Sequence, residues 1–118
     1  MKSLGLVEVE SVAAAVDALD IMCKTADVEF VTWERKLGGR LVTIIVQGTV
    51  SAVSQAVETA VEKCIKNVAA HAVIANPHSE TARILELSAQ RTRRTYEERL
   101  KQHEEKPICK RFNLGKAV

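Results

Sequence analysis

Cysteine and histidine are the residue types from which a nucleophile, a base or a metal site would be built, and the chain holds three of each: Cys23, Cys64, Cys109, His71, His78 and His103. No two cysteines form a CxxC pair, and their odd number leaves one unpaired in any disulfide scheme, which fits a reducing cytosol. Cys64 and His71 fall on what read as different elements, whereas Cys–His catalysis requires the two side chains to be adjacent in space. His71 lies in a strand-like stretch and reads as a packed or interface imidazole, His78 follows a proline turn, and His103 lies in the polar tail. None has a ligand-like partner along the chain. The expectation is a protein that is not an enzyme, with no catalytic residues, no bound metal and no cofactor.

The other chemically pointed segment is Gly38-Gly39-Arg40. A glycine pair followed by a cation can cradle phosphate, but neither GxxxxGK[ST] nor GxGxxG is present, and these glycines join two strand-like runs instead of opening a helix. A hairpin turn using positive φ is the better reading, with Arg40 as an exposed charge at its edge. Lys24, at the end of a helix-like run, is a favourable charge against the helix dipole. Far along the chain, Arg91, Arg93, Arg94, Arg99 and Lys101 alternate with Glu97, Glu98, Glu104 and Glu105, and Glu97–Lys101 has the favourable i,i+4 order. This reads as a solvated helix, or as a surface that docks on a neighbouring subunit or binds an acidic partner. Nucleic acid is excluded as an expectation: one basic helix without a second helix is not a recognised reader. Lys106 to Val118 read as a flexible basic end.

The elements that must position these residues follow from periodicity. The chain has 118 residues, of which 47% are hydrophobic and only 3% aromatic, so one core built from Val, Ala, Ile and Leu is expected. Leu4 to Val9 predicts a first strand. Ser11 is a candidate N-cap, and Val12, Ala15, Val16, Leu19, Met22 and Cys23 form a helical stripe ending near Lys24–Asp27. Val28 to Arg35 predicts a second strand, with Val28, Phe30, Thr32 and Glu34 on one face and Glu29, Val31, Trp33 and Arg35 on the other. Arg40 to Gln47 predicts a third strand, reached through a connection as short as Lys36–Gly39. Thr49 to Asn67 predicts a second helix through Val50, Val53, Ala56, Val57, Ala60, Val61, Cys64 and Ile65. Ala69 to Ala75 predicts a last strand, stopped by Asn76-Pro77. The order βαββαβ specifies an α/β (α+β) ferredoxin-like fold, a four-stranded antiparallel sheet with two helices on one face. After Ser79, a possible cap, residues 80–105 carry a thinner stripe of Leu85, Ala89, Thr92, Tyr96 and Leu100, which needs a partner surface to fold. The chain thus divides into a domain at 1–87 and a basic helical C-terminal extension at 88–118.

The formal net charge of +2 hides an asymmetry, because residues 1–87 are net acidic and residues 88–118 net basic. Glu8 and Glu10 interrupt the apolar stretch that a signal peptide needs, and no apolar run approaches the roughly 20 residues of a membrane span. The expectation is a soluble intracellular protein with no membrane partner.

Along this plan, LGLVEVESVAAAVDALDIMCKTADVEFV, KLGGRLVTIIVQGTVSAVSQAVETA and HAVIANPHSE resemble, in order and spacing between residues 4 and 85, the hexamer-forming shell-protein domain of bacterial microcompartments. The resemblance implies a structural shell tile in the bacterial cytoplasm. It would self-assemble into cyclic homo-hexamers, or into an open or helical assembly if the ring does not close. Its partners would be itself, other shell proteins and, through the C-terminal tail, encapsulated enzymes. By motif position the resemblance assigns Lys24 to the oligomer edge, with Asn76, Pro77 and His78, and assigns Leu37, Gly38, Gly39 and Arg40 to a central pore for small polar metabolites. The family commonly reads Lys-Ile-Gly-Ser-Gly at the pore loop, where this chain has Gly39 for the serine and Arg40 for the last glycine. It often has Arg-Pro-His where this chain has Asn76-Pro77-His78. A ring of six Arg40 guanidinium groups would select anions or resist flat closure. The competing reading is a ferredoxin-like small-molecule-sensing regulatory oligomer, a class that usually carries a long mobile loop between its second and third strands.

Overall fold

The structure is a computed structural model that describes residues 2–36 and 38–104. Leu37, Cys109 and the expected flexible end at Lys106–Val118 lie outside the described residues. The elements run β1 (Ser3–Val9), α1 (Val12–Thr25), β2 (Glu29–Glu34), β3 (Val42–Gly48), α2 (Val50–Lys63), β4 (Ala70–Ile74) and α3 (Ser79–Glu104). The strands form one sheet in the order β2-β3-β1-β4, with every neighbouring pair antiparallel. This is the expected ferredoxin-like plan, with a third helix added.

Alternation along the strands divides the side chains between the two faces. Val7 and Val9 of β1 and Val42, Ile44 and Val46 of β3 point to the side where α1 and α2 lie, and all five are buried in one core with both helices. Each helix starts on a hydroxyl cap: the Ala14 N–H donates to Ser11 Oγ at 3.2 Å and the Ala52 N–H to Thr49 Oγ1 at 3.2 Å. The packed face of α1 differs from the expected stripe. Ala14, Ala15, Ala18 and Met22 are buried, while Val12 and Val16 are about half exposed and Cys23 is exposed. Because α1 packs on α2 as well as on the sheet, the shorter alanine side fits the corner between them. α2 is also shorter than expected: Cys64 turns to ψ 143°, so Ile65 leaves the helix, and its N–H donates instead to Asp17 Oδ2 of α1 at 3.1 Å.

Three further expectations are corrected around the hairpin. First, a bulge interrupts β2: Phe30 pairs with Val46 and Thr32 with Ile45, so Phe30 and Thr32 face opposite sides and not the same one. Thr32 is fully buried while Phe30 is 44% exposed. Second, the connection runs from Arg35 to Leu41, longer than Lys36–Gly39, because Arg40 is part of the turn and not of β3. The Leu41 N–H donates to the Gly38 carbonyl at 3.0 Å, closing a turn whose central residues, Gly39 at φ 60° and Arg40 at φ 61°, both have the positive φ of a type I′ hairpin. Third, Gly48 is the last residue of β3, paired with Ser3, and does not lie beyond it.

α3 lies on the other face of the sheet, packed over β2. Thr32, on that face with Ile45, places its Oγ1 3.0 Å from Ser88 Oγ, and Ser88 and Ala89 are buried on the strand-facing side of the helix. Contact persists to Thr92, whereas Tyr96 and Leu100 are 64% and 44% exposed, so only the first half of the expected stripe is packed. The expected division between residues 87 and 88 falls inside this continuous helix.

Two substitutions test the packing and the turn. A Cβ at Gly5 would lie 2.8 Å from Val53 Cγ1 and 2.9 Å from Val57 Cγ2 of α2. Gly5→Ala is therefore expected to destabilise the fold by about 1–3 kcal/mol, read as a lower urea midpoint at unchanged slope. A left-handed conformation costs a non-glycine residue about 1–2 kcal/mol, and glycine gives back roughly 0.5–1 kcal/mol through the freedom of the unfolded chain. Arg40→Gly is therefore expected to raise stability by about 0.5–1 kcal/mol in the same titration.

Candidate functional site

The groups that could do covalent chemistry are otherwise occupied or dispersed. The Cys64 thiol donates to the Ala14 carbonyl at 3.4 Å, Cys23 is exposed on α1, and His71 is exposed on the edge strand β4. Among the described residues, no group of three His, Cys, Asp or Glu side chains is placed to hold a metal ion. What the fold does organise is two surfaces, one at each end of the sheet.

Strand register defines these ends. Ser3 pairs with Gly48 and Leu4 with Ile74 at one end, while Val9 pairs with Val42 at the other. α1 leaves β1 beyond Val9 and runs back over the sheet, so its last turn, with Lys24, returns to the Ser3 end. Asn76, Pro77 and His78 follow β4 and lie at that same end. Gly38, Gly39 and Arg40 cap β2 and β3 at the Val9 end. The structure thus places the four residues expected at an edge at one end of the sheet, separated from the turn expected at a pore by the length of a seven-residue strand, about 20 Å.

At the Ser3 end, Lys24 Nζ lies 2.8 Å from Asp20 Oδ2, one turn earlier, with the lysine side chain 75% exposed. The hydrogen bond that Lys24 donates to Asp20, and then the Asp20 charge, push the Lys24 pKa above its ordinary value, so the ammonium stays charged throughout the neutral range. His78 has a role that the sequence reading missed. The Ala82 N–H donates to its carbonyl at 3.0 Å and the Glu80 N–H to its Nδ1 at 3.1 Å, so His78, and not Ser79, caps α3. Histidine is not a favoured cap, and the signal that could have found it is the proline just before it together with Glu80 in the first turn. The Ser3 hydroxyl donates to the Ala75 carbonyl at 2.6 Å, fixing the segment that leads to Asn76.

The same end carries a polar cleft of about 390 Å³ between Lys2, Asp27, Glu29 and Gln47. Gln47 Nε2 donates to Glu29 Oε2 at 3.1 Å and Lys2 Nζ sits 3.4 Å from Glu29 Oε1. The bond from Gln47, then the charge and bond of Lys2, hold the Glu29 carboxyl below the usual range. At the opposite end, Gly38, Gly39 and Arg40 are all exposed, and the positive φ of Arg40 presents its side chain at the outer corner of the hairpin.

Comparison with known proteins follows this geometry. The BMC domain family matches residues 3–77, the span from β1 through β4 and the proline before α3. The bacterial microcompartment shell protein PduA of Citrobacter freundii is 41% identical over 86 residues, covering 71% of this chain and 91% of that protein. The carboxysome shell protein CsoS1C of Hydrogenovibrio crunogenus is 38% identical over 89 residues, covering 72% of this chain and 85% of that one. A solved microcompartment protein from Desulfitobacterium hafniense superposes with a TM-score of 0.62 at 27% identity, over 70% of this chain, which spans 48% of the length of that structure. On the family match over residues 3–77 and these relatives, the chain belongs to the BMC domain family and is a structural shell protein of a bacterial microcompartment, not an enzyme.

Proposed function

We propose that the chain assembles into cyclic homo-hexamers that tile a shell facet around a central pore for small polar metabolites. One observation carries this reading: the two candidate surfaces occupy opposite ends of a single sheet, so one end of each subunit can face an axis while the other faces the perimeter. A ring of this kind is built from heterologous contacts, in which one side of a subunit meets a different side of the next. The isolated chain has surface to supply them. The four residues from Ala70 to Val73 on edge strand β4 are exposed, and Val12 and Val16 are 47% and 51% exposed on α1.

In this arrangement Leu37, Gly38, Gly39 and Arg40 line the pore, and Arg40 gives it a positive rim that favours anions over neutral or apolar molecules. Lys24, Asn76, Pro77 and His78 form the edge that meets the next hexamer or another shell protein. Residues 1–87 act as the tile, and residues 88–118 as an extension available to encapsulated enzymes.

The test is light scattering with electron microscopy of the purified protein. The wild type is expected to form rings and extended sheets, and Lys24→Asp to leave discrete folded rings that no longer tile. Open helical assemblies would keep the shell role and remove flat closure. A wild type that stays monomeric, or a trimer that binds a nucleotide, would overturn the hexamer, and sheets undiminished by Lys24→Asp would overturn the edge assignment.

A further inference from the structure

A groove of about 390 Å³ runs between the end of β2 and the middle of α3, and five cations converge on it: Arg35 and Lys36 from the strand side, Arg91, Arg94 and Arg99 from the helix. Glu34 is the one carboxylate in its lining, and its Oε1 already accepts from the Ser88 hydroxyl. The ion pairs of α3 lie elsewhere. Arg83 meets Glu80 at 2.8 Å and Arg93 meets Glu86 at 3.2 Å, both outside the groove. Among the described residues, Arg35, Lys36, Arg91 and Arg99 make no ion pair, and Arg94 reaches Glu98 only at 4.0 Å. The same helix therefore pairs its arginines closely on one side and, apart from the long Arg94–Glu98 contact, leaves them without carboxylate partners where they line the groove. Like charges gathered this closely repel unless an anion stands between them. Arg35 is also held in place, its guanidinium 4.6 Å from the centroid of the Trp33 ring.

We propose that this groove binds a small multivalent oxyanion, a phosphorylated or polycarboxylic metabolite, bridged between Arg35 and Lys36 on one wall and Arg91, Arg94 and Arg99 on the other. The volume lies within the roughly 300–1,000 Å³ of small-molecule sites, and the guanidinium fork matches phosphate and carboxylate alike. Arg35 and Lys36 lead directly into the Gly38–Arg40 turn, so an anion held here sits beside the turn proposed for the pore.

Calorimetric titration of the full chain with inorganic pyrophosphate, ATP and citrate tests the site, with oligomer size and circular dichroism recorded alongside. Saturable binding of one anion per chain is expected, weakened about tenfold by Arg91→Gln and by Arg94→Gln and unchanged by Arg83→Gln. Lys36→Gln, on a connecting segment, provides a second variant if a helix substitution disturbs folding. Tighter binding of pyrophosphate and ATP than of citrate identifies the ligand as phosphorylated, and the reverse order as polycarboxylic. Absence of saturable binding, an equal loss in Arg83→Gln, or binding of an oligoglutamate peptide without any of the three small anions would overturn the proposal. None of these outcomes depends on whether the protein forms rings.

Discussion

Close seating of α2 on β1 is the constraint on which the rest of the molecule depends. At Gly5 the two valines of α2 come so near the strand that a methyl group would already collide with them, and the alanines of α1 fill the remaining corner against the sheet. With so few aromatic residues, this core gains its stability from short side chains at high packing density, not from a few large anchors. A consequence is rigidity across the sheet, because neither helix can slide without driving β-branched side chains into the strands. That rigidity holds the Lys24 end and the Arg40 end of each subunit at a fixed separation, which a repeating assembly requires of its unit.

Much of this was legible in the chain. The order of elements, the hairpin glycines and the Ser11 cap followed from periodicity and local chemistry, and the family from the order of the conspicuous segments. The misread helix stripes share a physical cause: hydrophobicity alone does not measure burial. Val12, Val16, Val50 and Ile65 fall on the apolar stripes yet are exposed in the isolated chain: the side that α1 packs is its alanine side, and Ile65 lies beyond the end of α2. The bulge in β2 was hidden for another reason. Alternation is a rule about regular pairing, and VEFVTW alternates acceptably in either register, so only the partner strand reveals that Phe30 and Thr32 point apart.

The candidate surfaces were legible only as single residues. Lys24 and His78 could be named from the chain, but the ion pair with Asp20 and the capping role of the His78 imidazole depend on side-chain geometry. The α3 groove was less visible still. Its cations come from two segments more than fifty positions apart along the chain, and the hydroxyl contact of Thr32 with Ser88 is what brings those segments together. The net basic character of the extension was evident; its division into a closely paired side and one with few carboxylate partners was not.

The left-handed residue at the hairpin has a consequence for how this position can change over evolutionary time. Substitutions at Arg40 are filtered first by the backbone and only then by charge. Glycine, asparagine and aspartate tolerate φ 61°, while valine or isoleucine would be resisted there even though the position is exposed. A lineage could therefore move this corner from cationic to neutral or anionic through a narrow set of residues, so its electrostatic character can drift readily while branching at Cβ cannot enter.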